Sequence, residues 1–96
     1  MRHTYIVTYD ISAPDRLRRV YQLMCGYGEW LQLSVFRCEL SARELVELRG
    51  RLSDEVDHVE DQVLFIDIGP VDGRGAGAIT YLGRPYAARR RKPLVF

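Results

Sequence analysis

Residues 4–28, TYIVTYDISAPDRLRRVYQLMCGYG, combine a strand pattern and a helix pattern with only a short junction between them. Residues 4–9 are β-branched or aromatic, which is typical of a β-strand. Further along, apolar residues follow the i, i+3, i+4, i+7 spacing of one helix face. These residues are Leu17, Val20, Tyr21 and Met24. The stretch therefore predicts a β-strand followed by an amphipathic helix.

The helix has recognisable signals at both ends. Ser12 and Asp15 resemble a capping box at its start. Pro14 falls in the first turn, where its missing N–H does no harm. Gly26 and Gly28 predict where the helix ends.

Three further segments have clear patterns. EWLQLSVFRCEL (residues 29–40) is extended and long for one strand, so it predicts either one strand or two with a turn near residues 32–34. SARELVELRGRLSDEV (residues 41–56) is a helix with a Ser41–Glu44 capping box. DQVLFIDIG (residues 61–69) is nearly all apolar, which predicts a central strand covered on both faces.

The order of these segments is β-α-β(-β)-α-β, and a short strand pattern, ITYLG, follows at residues 79–83. This order predicts an α+β, ferredoxin-like antiparallel sheet with two helices on one face. We assign residues 1–69 to the ferredoxin-like core, and residues 70–96 to a linker, the strand 79–83 and a basic tail. Since one face of such a sheet stays uncovered, we expect a twofold homodimer in which strand 79–83 joins the partner's sheet.

The charges are unevenly distributed along the chain. All 13 acidic residues lie within residues 1–72, whereas residues 73–96 contain no acid and include the basic run Arg89, Arg90, Arg91 and Lys92. Such a run suits either a phosphate-bearing or an acidic protein partner, or a solvated tail. The N-terminus lacks a signal-peptide h-region, and no apolar run approaches the ~20 residues of a membrane span. We therefore expect a cytoplasmic protein with reduced thiols.

Other motifs are better explained by a structural role than by catalysis or ligand binding. The sequence GRGAGA (residues 73–78) matches the consensus of a dinucleotide-binding fingerprint. A strand pattern follows it where that fingerprint requires a helix, so we interpret it as a linker. His3 and His58 are isolated from other metal ligands in the sequence. Cys38 is expected to be a small buried thiol.

Asp10 stands where the first strand ends. A turn-forming or capping aspartate is the commoner explanation for an acid at this position. The alternative is a Mg²⁺ ligand, because Mg²⁺ keeps several waters and one or two carboxylates suffice. A twofold axis would supply the second carboxylate from the other copy of Asp10. The residues alone leave both interpretations open.

The chain resembles the family of CRISPR-associated protein two, the small universal protein of spacer acquisition in CRISPR antiviral defence. The resemblance rests on YDIS (residues 9–12), RLRRVYQLM (residues 16–24) and QLSVFRCEL (residues 32–40), followed by the capped helix and the apolar strand. It implies a ferredoxin-like homodimer whose C-terminal strand crosses to the partner. It also implies Mg²⁺ or Mn²⁺ bound by Asp10 at the dimer twofold. The positions matching the family's catalytic residues are Tyr9, Asp10, Arg16 or Arg19, Ser34 and Phe36.

Two functions follow from this resemblance. Family members have been assigned metal-dependent endonuclease activity on single-stranded RNA or double-stranded DNA, and the family also bridges dimers of the CRISPR integrase without catalysis. We favour the bridge as the biological role and keep nuclease chemistry as an open alternative. A toxin-type ribonuclease of the related virulence-associated fold is a further alternative, and no feature of the sequence singles it out.

Overall fold

Four antiparallel strands and two helices form the body of the protein in the computed structural model, which describes residues 1–84 and, for residues 75 and 76, the backbone alone. The elements are β1 (Arg2–Asp10), α1 (Pro14–Cys25), β2 (Gly28–Gln32), β3 (Val35–Ser41), α2 (Ala42–Glu55), β4 (Gln62–Pro70) and a 3₁₀ helix (Arg74–Gly77). The sheet order is β2-β3-β1-β4. This confirms the predicted ferredoxin-like α+β fold.

The core lies between the sheet and the two helices. Along each strand, alternate side chains point toward the helices, and the apolar spacing of α1 and α2 places one face of each helix against them. The buried apolar residues of this cluster are Val7, Tyr9, Val20, Met24, Phe36, Cys38, Leu40, Leu48 and Leu52. Cys38 is therefore a buried thiol as predicted, and burial raises its pKa to about 12.

The opposite face of the sheet carries the apolar side chains of Leu64 and Ile66 on β4 and of Ile6 on β1. Ile6 pairs with Ile66, and Thr8 pairs with Leu64. The side chains of Leu64 and Ile66 remain 47% and 46% exposed. The prediction that residues 61–69 form a central, covered strand is therefore wrong. β4 is an edge strand of this sheet, and its continuous apolar run combines one row facing the core with a second row facing away from the helices.

The extended stretch 29–40 forms two strands joined by a turn, so the two-strand alternative is confirmed. Leu33 and Ser34 form the turn between β2 and β3, and Leu33 adopts a positive φ of 38°. The Trp30 Nε1–H donates to the Leu33 carbonyl at 2.8 Å. The backbone N–H of Tyr9 donates to the Ser34 carbonyl at 3.1 Å, which ties the turn to the end of β1.

The two helices begin differently. The Ser41–Glu44 capping box of α2 is present in full, as predicted. The predicted Ser12–Asp15 box of α1 is wrong, because the N-cap is Ala13 and makes no side-chain cap hydrogen bond. The Ser12 hydroxyl is engaged instead by the acidic turn before β4.

The C-terminal end of α1 also differs in part from the prediction. Gly26 caps the helix, and its N–H donates to the carbonyls of the last turn. Gly28, however, is the first residue of β2 rather than a helix terminator. Pro14 occupies the first helical turn as expected.

Residues 78–84 form no strand within the single chain. Ile79 and Leu82 line an open cavity together with Ile6, Leu31 and Val35 of the sheet. Strand exchange by residues 79–83 needs a second copy and stays a prediction. Within the described part of the chain, a helix able to span a bilayer is absent.

A pair of glycine substitutions tests the packing of this fold. A Cβ at Gly28 would lie 2.5 Å from both the Arg37 carbonyl oxygen and the Cys38 Sγ, whereas a Cβ at Gly50 would meet nothing within 4 Å. We expect Gly28→Ala to lower the free energy of unfolding by about 1–3 kcal/mol through overpacking. We expect Gly50→Ala, in the middle of α2, to raise it by ~0.5–1 kcal/mol. Urea denaturation of both variants measures this, and an unchanged stability for Gly28→Ala would contradict the β2–β3 packing.

Candidate functional site

Asp10 is the last residue of β1 and is exposed. It pairs across the ladder with Gln62 and shares a sheet face with Thr8 and Ile6, since side chains alternate along a strand. Its carboxylate makes no hydrogen bond or ion pair within residues 1–84. The described part of the chain therefore offers no support for a capping role, and the carboxylate is available on the face that the helices leave uncovered.

The other predicted residues near Asp10 lie on the helix side of the sheet or in the adjoining β2–β3 turn. Tyr9 is buried on the helix side, where its ring stacks on Phe36 with centroids 6.3 Å apart. Burial raises the pKa of Tyr9 well above its ordinary value. Ser34 meets this strand end through its backbone carbonyl. The structure thus brings Asp10, Tyr9, Ser34 and Phe36 together, with Asp10 as the exposed member.

Arg16 is held at the same end of the sheet by a carboxylate that sequence reasoning did not identify. Its Nε donates to Asp61 Oδ2 at 2.7 Å and its Nη2 to Asp61 Oδ1 at 3.2 Å. Asp61 also accepts the backbone N–H of Ser12 at 2.9 Å and that of Asp57 at 2.8 Å. We call Ser12, Arg16, Asp57 and Asp61 the Asp61 cluster.

The Asp61 side chain is fully buried, with 0% exposure, while Arg16 is 22% exposed. The hydrogen bond from Arg16 holds the pKa of Asp61 far below its ordinary value, and the backbone donors act in the same direction. Asp61 belongs to the run DHVED (residues 57–61), whose first residue accepts the N–H groups of Val59 and Glu60. That turn-forming pattern was a usable signal in the sequence, but nothing there indicated which distant arginine it would meet.

Arg19 is placed differently. Its Nε donates to Glu55 Oε1 at 2.8 Å, so it ties α1 to α2 rather than to the loop after β1. Its side chain is 51% exposed, and its partner is 35% exposed. Arg19 can therefore exchange this partner for a phosphate more readily than Arg16 can leave the buried Asp61.

The described residues fit a divalent metal only in a limited way. Within residues 1–84, no cluster of three or more His, Cys, Asp or Glu side chains could hold a metal ion. At this end of the sheet the described residues offer the Asp10 carboxylate, which suits a Mg²⁺ or Mn²⁺ ion that keeps most of its waters. The fit therefore depends on a second carboxylate from a second copy. The predicted binding run Arg89–Lys92 lies outside the described residues.

Comparison with known proteins gives consistent matches. The family model "CRISPR associated protein Cas2" matches residues 2–72. The CRISPR-associated endoribonuclease Cas2 of Geobacter sulfurreducens is 44% identical over 75% of this chain and 76% of its own length. A CRISPR-associated endoribonuclease Cas2 of Rhodospirillum rubrum is 37% identical over 97% of this chain and 90% of its own length.

A solved structure agrees with these sequence matches. The crystal structure of Streptococcus pyogenes Cas2 at pH 6.5 superposes with a TM-score of 0.71 at 30% identity, covering 83% of this chain and 99% of that one. The matches do not support the toxin-type ribonuclease alternative.

The Asp61 cluster makes a testable contribution to acid stability. Because the pKa of Asp61 is lowered on folding, its stabilisation is fully present above its unfolded pKa of about 3.9 and is lost as pH falls through the folded value. We expect Asp61→Asn to lower the melting temperature most at neutral pH, and the gap to wild type to narrow progressively below about pH 5. Asp54→Asn, the same change at an exposed position on α2, is the control. A gap that stays constant with pH would contradict the assignment.

Proposed function

The chain belongs to the Cas2 family of CRISPR-associated proteins, and on that premise we propose that it acts in CRISPR spacer acquisition as a homodimer that bridges the integrase on duplex DNA. The observation that carries the proposal is the uncovered apolar face of β1 and β4, where Leu64 and Ile66 are half exposed. A bridge needs two equivalent ends, and a twofold dimer closed through this face supplies them.

The proposed dimer uses the end of the chain as well as the sheet. Residues 79–83 carry a strand pattern but do not adopt strand structure in the single chain. We propose that they pair with the sheet edge of the second copy. An exposed edge strand such as β4 is a ready template for such pairing, because its outer N–H and C=O groups are unpaired within its own sheet.

Contacts to nucleic acid are proposed to come mainly from the C-terminal region. Residues 73–96 hold six basic residues and no acid, whereas the arginines of α1 are each paired with a carboxylate. Arg89, Arg90, Arg91 and Lys92 suit phosphate contacts, which position a protein on DNA without specifying sequence. The same run suits docking on an acidic surface of the integrase. With either partner, we propose that the protein acts in the cytoplasm, where the DNA lies.

Metal-dependent endonuclease activity is a second candidate function, favoured by the exposed Asp10, which has no partner among residues 1–84. The relatives named above are called endoribonucleases, and we propose RNA or DNA phosphodiesters as substrates here. The two Asp10 carboxylates of the dimer would hold Mg²⁺ or Mn²⁺, which when bound supplies a more acidic water and stabilises charge on the phosphodiester. Tyr9, Ser34 and Phe36 would fix the strand end beneath Asp10. Arg19 would orient the phosphate.

A charge on the proposed dimer face tests the bridge. Ile66→Glu would place a carboxylate in an apolar interface, where burying an unpaired charge is strongly unfavourable. We expect monomers by light scattering and loss of the integrase in a pull-down. Val46→Glu, at an exposed apolar position on α2, is the matched control and should keep both the dimer and the integrase. Dimers that persist in Ile66→Glu would exclude this face as the interface.

Asp10→Asn tests the metal chemistry. The change keeps the side-chain shape but removes the charge that binds the ion. We therefore expect cleavage of RNA or DNA with Mg²⁺ or Mn²⁺ to fall by more than the ~10–100-fold that loss of an outer-shell partner usually causes. The metal-free dimer should persist or become more stable, because two facing carboxylates repel each other. Asp15→Asn, at an exposed position at the start of α1, should cleave normally. Cleavage that survives Asp10→Asn, or that continues in excess EDTA, would place the active site elsewhere.

A further inference from the structure

Asp61 is a charged side chain with no exposure, placed one residue before β4. A buried charge is costly unless it is paired and hydrogen-bonded, and Asp61 meets both requirements. Arg16 contacts both carboxylate oxygens, and backbone N–H groups approach each oxygen from a different segment of chain. This degree of pairing in a small protein marks a point where local geometry is held in one arrangement.

The Asp61 cluster holds both chain segments that flank Asp10. On one side, Asp61 accepts the N–H of Ser12, which lies two residues beyond Asp10 in the loop to α1. On the other side, Asp61 is bonded to Gln62, the residue that pairs with Asp10 on the β1–β4 ladder. The strand end, the loop that leaves it and its partner strand are therefore anchored at one carboxylate. Asp10 lies between these anchored segments.

Arg16 completes this anchor and is not free to act elsewhere. Its Nη2 donates to the Ser12 hydroxyl at 3.2 Å and lies 3.8 Å from Glu60 Oε1, in addition to its two bonds to Asp61. A guanidinium that turned toward a phosphate would leave Asp61 buried and unpaired, which is strongly unfavourable. Arg18, on the same helix, meets Asp15 at 3.5 Å and is 61% exposed, so it has no such constraint.

We propose that Asp61, acting through Arg16 and Ser12, is a positioning residue that fixes the loop after Asp10 and thereby orients the Asp10 carboxylate for metal binding. This inference rests on the proposed metal site and adds a residue to it. It also assigns Arg16 to positioning, where the family resemblance suggested a catalytic role.

The test measures two properties of the full-length dimer, neither of which depends on catalysis. The first is the affinity for Mn²⁺ by isothermal titration calorimetry. The second is the hydrogen-exchange protection of the amides of residues 11–13 by NMR. We expect Asp61→Asn to weaken Mn²⁺ binding by about 10–100-fold, the usual effect of losing an outer-shell partner. We also expect Ser12 to lose its amide protection while the β1 amides keep theirs.

Two further variants complete the experiment. Arg16→Lys keeps the charge beside Asp61 but loses the two-pronged guanidinium geometry, so its Mn²⁺ affinity should fall between those of wild type and Asp61→Asn. This milder change also preserves the test if Asp61→Asn does not fold. Arg18→Lys, the same change at an exposed ion pair on α1, should alter neither measurement.

The outcomes separate this inference from the proposed function. Wild-type Mn²⁺ affinity together with protected Ser12 in both cluster variants would overturn the positioning role. Protection lost throughout β1 would also overturn it, because the cluster would then support general stability only. Equal Mn²⁺ binding by wild type and Asp10→Asn would instead contradict the proposed metal site at Asp10. In that case the Ser12 protection would still decide whether Asp61 orders the loop.

Discussion

Two helices can cover only one face of a four-stranded sheet. This limit affects both the stability of the protein and the environment of Asp10. β4 is apolar on both sides, so covering the row of Val7 and Phe65 leaves Leu64 and Ile66 about half exposed to solvent or to a second surface. Burying apolar area contributes roughly 25 cal/mol per Å², so for a chain this small the uncovered row is a substantial unused source of stability. Asp10 ends the same row. Any surface that covers this face therefore also approaches the carboxylate, which couples assembly to the site.

A second constraint concerns positive charge. The arginines of the described residues are not equivalent, because their partners differ in burial. Arg18 and Arg19 are more than half exposed, and surface ion pairs of this kind contribute about 0–1 kcal/mol. They can trade a carboxylate for a phosphate at little cost. Arg16 faces a fully buried carboxylate and cannot. A nucleic acid approaching α1 would therefore meet two arginines that can exchange partners, Arg18 and Arg19, and one that is held in place, Arg16.

Local patterns predicted the elements well, because strand and helix periodicities are local properties of the chain. The same reasoning failed where a distant partner decides the outcome. Ser12 has the sequence context of a helix cap, yet its hydroxyl donates to Glu60 and Asp61 in the acidic turn before β4 instead. β4 has the composition of a central strand, but its place in the sheet depends on topology. The turn at Leu33 lacks any residue that favours a positive φ, so no sequence signal could mark it. Asp10 was identifiable as a strand-end carboxylate, whereas Asp61 required the tertiary structure.

Asp10 and Asp61 show how one end of a sheet can hold two carboxylates with opposite roles. Asp61 is buried, and its oxygens are occupied by Arg16 and by backbone donors, so it has no lone-pair capacity left for a metal. Asp10 is exposed and has no partner among residues 1–84, so its oxygens remain available. Removing the charge of Asp61 would leave Arg16 beside Glu60, whose Oε1 already lies 3.8 Å from Nη2. The two aspartates therefore have separate roles at this end of the sheet. Asp61 is saturated and holds the loop, whereas Asp10 keeps its oxygens open to a metal.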